Sequence, residues 1–304
     1  MHTLRPLGPG YLVDAPNEDE ARRRAIDSTW RSLFAFRQGP PDLNEFNECD
    51  ELHRGDPAPI LGLIGVALAV FVYLAPLMTI RDVCREGKLG GYDHLPFVAM
   101  LTMALLWMAY SFPHVTPCLP EVLTCNFIGV LLNIFYLGIF LGYADGPRRI
   151  AILTATATAL ALVVATVGGA VTYERSGHTG SAAVIVGYAC VVGVVFAFGS
   201  PLAIVRTVVR TRSVRYMPLP LTVAIALNTA VWTLHGIFTT EIFVLVTNSA
   251  GLALGIVQLV VYVAVACCCK PVDGVGEETP LKGPADEKYG RHVERHQPIV
   301  QEAL

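Results

Sequence analysis

Charge is scarce in this chain. Only 15% of its 304 residues are Asp, Glu, Lys or Arg, against 53% hydrophobic ones, where a soluble domain carries about 25% charged residues. The deficit argues against an ordinary cytosolic enzyme. The net charge of −3 comes without a basic stripe, so nucleic acid is not expected as a partner. A phosphate-binding G-x-x-x-x-G-K-[ST] loop is missing, and with it the basis for ATP drive. No nucleophile–base pair or metal-ligand cluster stands together in the sequence. Cys267-Cys268-Cys269 has no histidine beside it. An enzyme is therefore not expected, and neither is a cofactor or a metal. The first 59 residues hold no uninterrupted apolar stretch of the kind a cleavable signal peptide needs.

Apolar runs fill the rest of the chain, and the mean hydropathy is +0.52. Between Ile60 and Cys269 they are long enough to cross a bilayer, since about 20 residues at 1.5 Å rise match a hydrocarbon core of about 30 Å. Seven spans are expected, at 60–80, 95–113, 119–143, 150–172, 182–205, 217–239 and 242–268. Lys and Arg in the short loops set their orientation. The loops after spans 1, 3 and 5 hold Arg81, Arg85, Lys88, Arg148, Arg149, Arg206, Arg210, Arg212 and Arg215, whereas the alternate loops hold Arg175 alone. The asymmetry places the N-terminus outside or in a lumen and the C-terminus in the cytosol. Residues 1–59 are then an extramembrane tail, and residues 270–304 a polar, disordered cytosolic tail.

An internal repeat organises the spans. Spans 1 and 5 both end on a Pro-Leu pair, Pro76-Leu77 and Pro201-Leu202. Spans 2 and 6 each open near a proline and carry a tryptophan later. Pro76 to Trp107 is 31 residues, and so is Pro201 to Trp232. Spans 3 and 7 each carry Asn-x-x-Gly, at Asn126 and Asn248. Three kinds of feature recurring in the same order on matching spans indicate a duplicated three-helix unit. Two such units in the same orientation need one extra crossing between them, and span 4 supplies it. The expected fold is an all-α membrane protein of seven helices. The first repeat covers 60–143, an inverting linker helix 150–172, and the second repeat 182–268, in a 3+1+3 order. Parallel-repeat transporters bind substrate near the repeat interface.

These residues resemble the SWEET, or saliva-domain, family of sugar transporters. The second repeat carries the resemblance in SPLAIVRTVVRTRSVRYMPLP, Trp232 and TNSAGLALGIVQLVVY. The first carries it in YLAPLMTI, LPFVAML, LLWMAY and CNFIGV. It covers about residues 60–268 and leaves out both tails. The resemblance implies a small neutral sugar as partner and a multi-pass protein of the lipid bilayer, in the plasma membrane or, alternatively, an endomembrane. Members of that family associate, which leaves a homo-oligomer open.

Helix rise places the candidate site. Trp107 and Trp232 lie six to seven residues below the outer ends of spans 2 and 6. Asn126 and Asn248 lie about as far below the outer ends of spans 3 and 7, so all four sit roughly 10 Å down, at one level. An aromatic face packs on the C–H side of a pyranose, and an asparagine both donates to and accepts from hydroxyls. The resemblance adds four positions bordering the sugar: Val72, Met103, Ala197 and Asn228. In the resembled family small residues there go with disaccharides and larger ones with hexoses; the set here is mixed, and Met103 in place of a small residue turns the resemblance toward a monosaccharide such as glucose. Asn133 lacks a matching tryptophan and is read as packing. Pro76, Pro96, Pro201 and Pro218 converge near the inner ends of their spans, where a proline removes a helix hydrogen bond and permits a bend. The resemblance makes them an inner gate. It also makes Tyr110 and Glu241 an outer gate, which His235 joins. Cys49 and Cys118, both expected outside, are a candidate disulfide, with two free thiols as the alternative.

The middle thirds of the spans hold no Asp, Glu or His, which proton-coupled carriers keep there. The expectation is thus a bidirectional uniporter that works by alternating access. Two alternatives stand beside it: a carrier of another small polar solute, and a seven-helix receptor.

Overall fold

Proline sets the helix starts. Pro57, Pro96, Pro120, Pro147 and Pro218 each stand at the cap or within the first two residues of a helix, where a missing N–H costs nothing. The structure, a computed structural model, describes residues 57–268. Cys49 and nearly all of both tails lie outside that range. Among the described residues the fold is all-helical. The helices are α1 Ala58–Leu74 and α2 Leu77–Glu86, α3 Leu95–Tyr110, α4 Pro120–Tyr143 and α5 Gly146–Arg175. Then come α6 Ser181–Ala197 and α7 Gly199–Thr211, α8 Leu219–Phe238 and α9 Ile242–Cys268.

Six helical stretches are long and apolar enough to cross a membrane, α1–α2 and α6–α7 each counting as one. The seventh, α3, has 16 residues, roughly 24 Å. It is three residues shorter than the span at 95–113, because Ser111 caps it with a hydroxyl bonded back to the Trp107 carbonyl at 2.8 Å. The first and fifth spans run on past their apolar runs, to Glu86 and Thr211. The arginines there mark where lipid stops, but the helix continues.

The packing repeats with the sequence. In the first unit α1 packs on α4, and α3 on α4. In the second, α6 packs on α9, and α8 on α9. Across the units α1 meets α8, as α6 meets α3. The chain thus forms two parallel three-helix repeats, with α5 between them in sequence. The linker is anchored at its start, where the Asp145 side chain accepts from the Arg148 N–H at 3.1 Å and the Arg148 guanidinium donates to the Gly90 carbonyl at 2.7 Å. Toward the proline-bearing end the first repeat is filled by Phe97, Tyr136, Phe140 and Ile152, all buried, with the Phe97 ring 4.9 Å from Phe140 and 5.6 Å from Tyr136.

Candidate functional site

The long first helix of each repeat breaks at or shortly before its proline. Pro76 has no N–H for the Val72 carbonyl, which instead accepts from Ala75 at 3.1 Å, and the chain turns before α2. The second break falls at Phe198, three residues ahead of Pro201. Pro96 sits in the first turn of α3, and Pro218 caps α8. All four prolines therefore stand at helix breaks or starts on one end of the bundle. That is the arrangement a bending ring needs.

Above the breaks lies a cavity of about 170 Å³. Ala69, Val72 and Tyr73 of α1 form one wall, Trp107 of α3 a second, and Val122, Cys125 and Asn126 of α4 a third. Asn228 and Trp232 of α8, with Val244 and Asn248 of α9, complete it. It lies between the two repeats. The structure brings both tryptophans and both repeat-matched asparagines to this one space, together with Val72 and Asn228. It does not bring Met103 or Ala197 there. Met103 lies against α6, its sulfur where a side chain on Gly193 would stand. Ala197 is exposed at the end of α6.

The asparagines are held in one way. Asn126 donates to the Val122 carbonyl at 2.8 Å and Asn248 to the Val244 carbonyl at 2.9 Å. A carbonyl accepts only from the N–H side, so each amide keeps its oxygen and one N–H for a ligand. Asn228 adds a buried oxygen without a partner. Close approach of the helices brings Trp232 in. Its ring fills the place where a Cβ on Gly65 would stand, 2.8 Å from Cε2. Asn133 is fully buried away from the cavity and donates to the Gly129 carbonyl at 2.8 Å.

At the opposite end from the prolines one hydrogen bond and one longer carboxylate–imidazole approach join the two repeats. The Tyr110 hydroxyl of α3 donates to Glu241 Oε2 at 2.8 Å, in the turn before α9. Fully buried His235 of α8 places Nε2 3.7 Å from Glu121 Oε2 at the start of α4. Tyr110 stands three residues after Trp107 and His235 three after Trp232, with edge-on ring pairs at 5.5 and 5.2 Å. The two pairs are therefore counterparts in position. Each joins one helix of a repeat to the carboxylate that opens the last helix of the other. Glu241 is fixed by the chain itself. Thr240 takes the left-handed conformation at φ 55, the Glu241 N–H reaches back to the Gly236 carbonyl at 3.0 Å, and the turn closes as a Schellman motif. Burial pushes the Glu241 carboxyl above its usual range, opposed by the Tyr110 hydrogen bond and the nearby His235.

Sequence reasoning missed Tyr73, Cys125 and Glu121. The first two are single-copy residues with no counterpart in a repeat pattern. Glu121 had a signal, because it precedes Asn126 much as Glu241 precedes Asn248. Cys118 is disulfide-bonded; Cys49, the partner expected for it, lies outside the described residues.

A family model described as a sugar efflux transporter for intercellular exchange matches residues 59–148 and 184–268. One model thus matches twice, once on each repeat, and leaves out most of α5. Among curated proteins, the bidirectional sugar transporter SWEET7 of Arabidopsis thaliana is 31% identical over 222 residues, 73% of this chain and 85% of the relative. SWEET11 of the same plant is 32% identical over 72% of this chain and 74% of its own. SWEET4 of Oryza sativa subsp. indica is 30% identical over 66% and 77%. The solved structure of a eukaryotic SWEET transporter superposes with a TM-score of 0.63 at 26% identity. It covers 69% of this chain and 96% of that one.

Proposed function

The chain belongs to the SWEET family of sugar transporters, and on that premise we propose that it is a facilitative carrier of a single-ring sugar such as glucose. It is a multi-pass membrane protein and a carrier, not an enzyme. The seven-helix receptor falls away with the family match.

The observation that carries the substrate reading is the cavity between the repeats, where two tryptophans and three asparagines meet. Aromatic faces suit the C–H side of a sugar ring, and the amides suit its hydroxyls. None of the lining residues is Asp, Glu, His, Lys or Arg, which suits a neutral solute better than an ammonium or carboxylate. A volume of about 170 Å³ lies below the roughly 300–1,000 Å³ of pockets for drug-sized ligands, which favours one ring over two.

Transport then proceeds by rocking of residues 60–143 against 182–268 with 150–172 as linker. The Tyr110–Glu241 and His235–Glu121 pairs latch the outer side, and the helix breaks at the four prolines bend to open the inner side. None of the lining residues is an Asp, Glu or His that would carry a proton through with the sugar, so flux follows the sugar gradient in either direction. The arginine-rich loops face the cytosol by the positive-inside rule, with the N-terminus outside and the plasma membrane as the site.

The test is uptake of radiolabelled glucose into proteoliposomes. Uptake by the parent protein, strongly reduced at low glucose in Trp232→Ala and Asn248→Ala at equal incorporation, is the expected result. Uptake unchanged in both variants places the substrate elsewhere. No uptake of glucose, fructose or sucrose by well-folded protein turns the reading toward another neutral solute.

A further inference from the structure

The cavity is not symmetric, although the helices around it are. Tyr73 lines it from α1. The residue at the same distance before the second repeat's proline is Phe198, which sits at the α6–α7 break and does not line the cavity. The glycines of the two Asn-x-x-Gly motifs differ in the same sense. A Cβ on Gly129 would stand 2.9 Å from the ring carbon Cζ of Tyr73 and 3.0 Å from its hydroxyl. A Cβ on Gly251 would instead meet a Thr229 methyl at 3.0 Å. The first motif therefore makes a recess for a phenol ring. The second serves only to bring α8 and α9 together.

Tyr73 is also held from behind. Its backbone carbonyl accepts from the Tyr136 hydroxyl at 2.8 Å, and Tyr136 is fully buried. It stands three residues before Pro76, so its ring forms the floor of the cavity on the side of the helix break. Gly129 is one turn further along α4 than Asn126, which puts the phenol tip beneath the amide. The Tyr73 phenol and the Cys125 thiol line the same cavity. A thiol is a weak hydrogen-bond group, whereas a sugar hydroxyl both donates and accepts well. A sugar hydroxyl is therefore the stronger partner for the phenol.

We propose that Tyr73 is a further sugar-contacting residue of this cavity, whose hydroxyl binds the sugar and whose ring, seated on Gly129, limits the substrate to one ring. The inference rests on the sugar-carrier reading and adds to it the residue that sets substrate length. It also gives the sugar a fixed orientation, since one repeat offers a phenol where the other offers none.

The test compares labelled glucose and labelled sucrose uptake into proteoliposomes by the parent protein, Tyr73→Phe and Tyr73→Ala. Tyr73→Phe removes one oxygen and leaves the packing on Gly129 intact. It is expected to raise the KM for glucose roughly 2- to 10-fold, the range for one lost hydrogen bond, with the maximal rate kept. Tyr73→Ala empties the floor and is expected to admit sucrose, which the parent protein rejects. A merely structural tyrosine would lower the amount of folded protein and leave KM and sugar preference alone. An unchanged glucose KM in Tyr73→Phe together with no sucrose uptake in Tyr73→Ala, while the parent protein moves glucose, overturns the inference and spares the carrier reading. A parent protein that moves neither sugar overturns both.

Discussion

Asn248 and Asn133 are the same residue type on last helices of the two repeats, and the structure gives them different work. Asn248 borders the cavity and keeps an oxygen and an N–H free; Asn133 is fully buried elsewhere. Asn248→Ala is therefore expected to raise the KM for glucose about 10-fold, one or more hydrogen bonds being lost. Asn133→Ala should leave KM unchanged and act on thermal stability alone. Concentration-dependent uptake and a melting curve on the same preparations separate the two. At this scale the sequence disclosed residues that occur twice. Trp107 and Trp232 announce themselves by equal spacing from a proline, and Asn126 and Asn248 by the Asn-x-x-Gly pattern they share. Tyr73 and Cys125 do not, because a residue used once leaves no period. Met103 and Ala197 show the converse difficulty. They came from the resemblance alone: Met103 sits on α3, which borders the cavity, but turns toward α6, and Ala197 sits on α6, which contributes no lining residue.

Helix ends were legible where a residue's chemistry ends a helix and less so where only hydropathy does. Pro120 and Pro218 start α4 and α8 close to the expected edges. The linker helix, expected at 150–172, begins at Gly146 and ends at Arg175, since Asp145 caps it ahead of two arginines that lipid would reject. The turn from α8 to α9 has the clearest functional consequence. It holds Glu241 against Tyr110 and near His235, with burial as the largest influence on its carboxyl and a raised pKa as the result. A closed latch then binds the Glu241 proton more tightly than an open one in which the carboxyl meets water. By linkage, closure is favoured as pH falls through the raised value, and the gain levels off below the ordinary glutamate pKa of about 4.3. Symmetric acidification should slow exchange of labelled glucose, and Glu241→Gln should flatten that part of the profile. An exchange rate that rises as pH falls through the same window would contradict this sign.

The whole molecule repeats its packing as it repeats its sequence. α1 on α8 mirrors α6 on α3, and the two pairs cross between the repeats as counterparts in position. Such a body can rock about a central cavity with one end closed at a time. Duplication was visible in the chain because it writes each landmark twice. The asymmetry of the cavity was not, because it arises from how one glycine seats a ring and another seats a helix. The central claim is that this symmetric body moves a neutral sugar with no energy input of its own. It is tested most directly by following labelled glucose in proteoliposomes to its plateau, with and without an imposed pH gradient. The account predicts equal concentrations inside and out at the plateau in both conditions, and efflux at a comparable rate when the gradient of sugar is reversed. Accumulation above the external concentration under the pH gradient would contradict it.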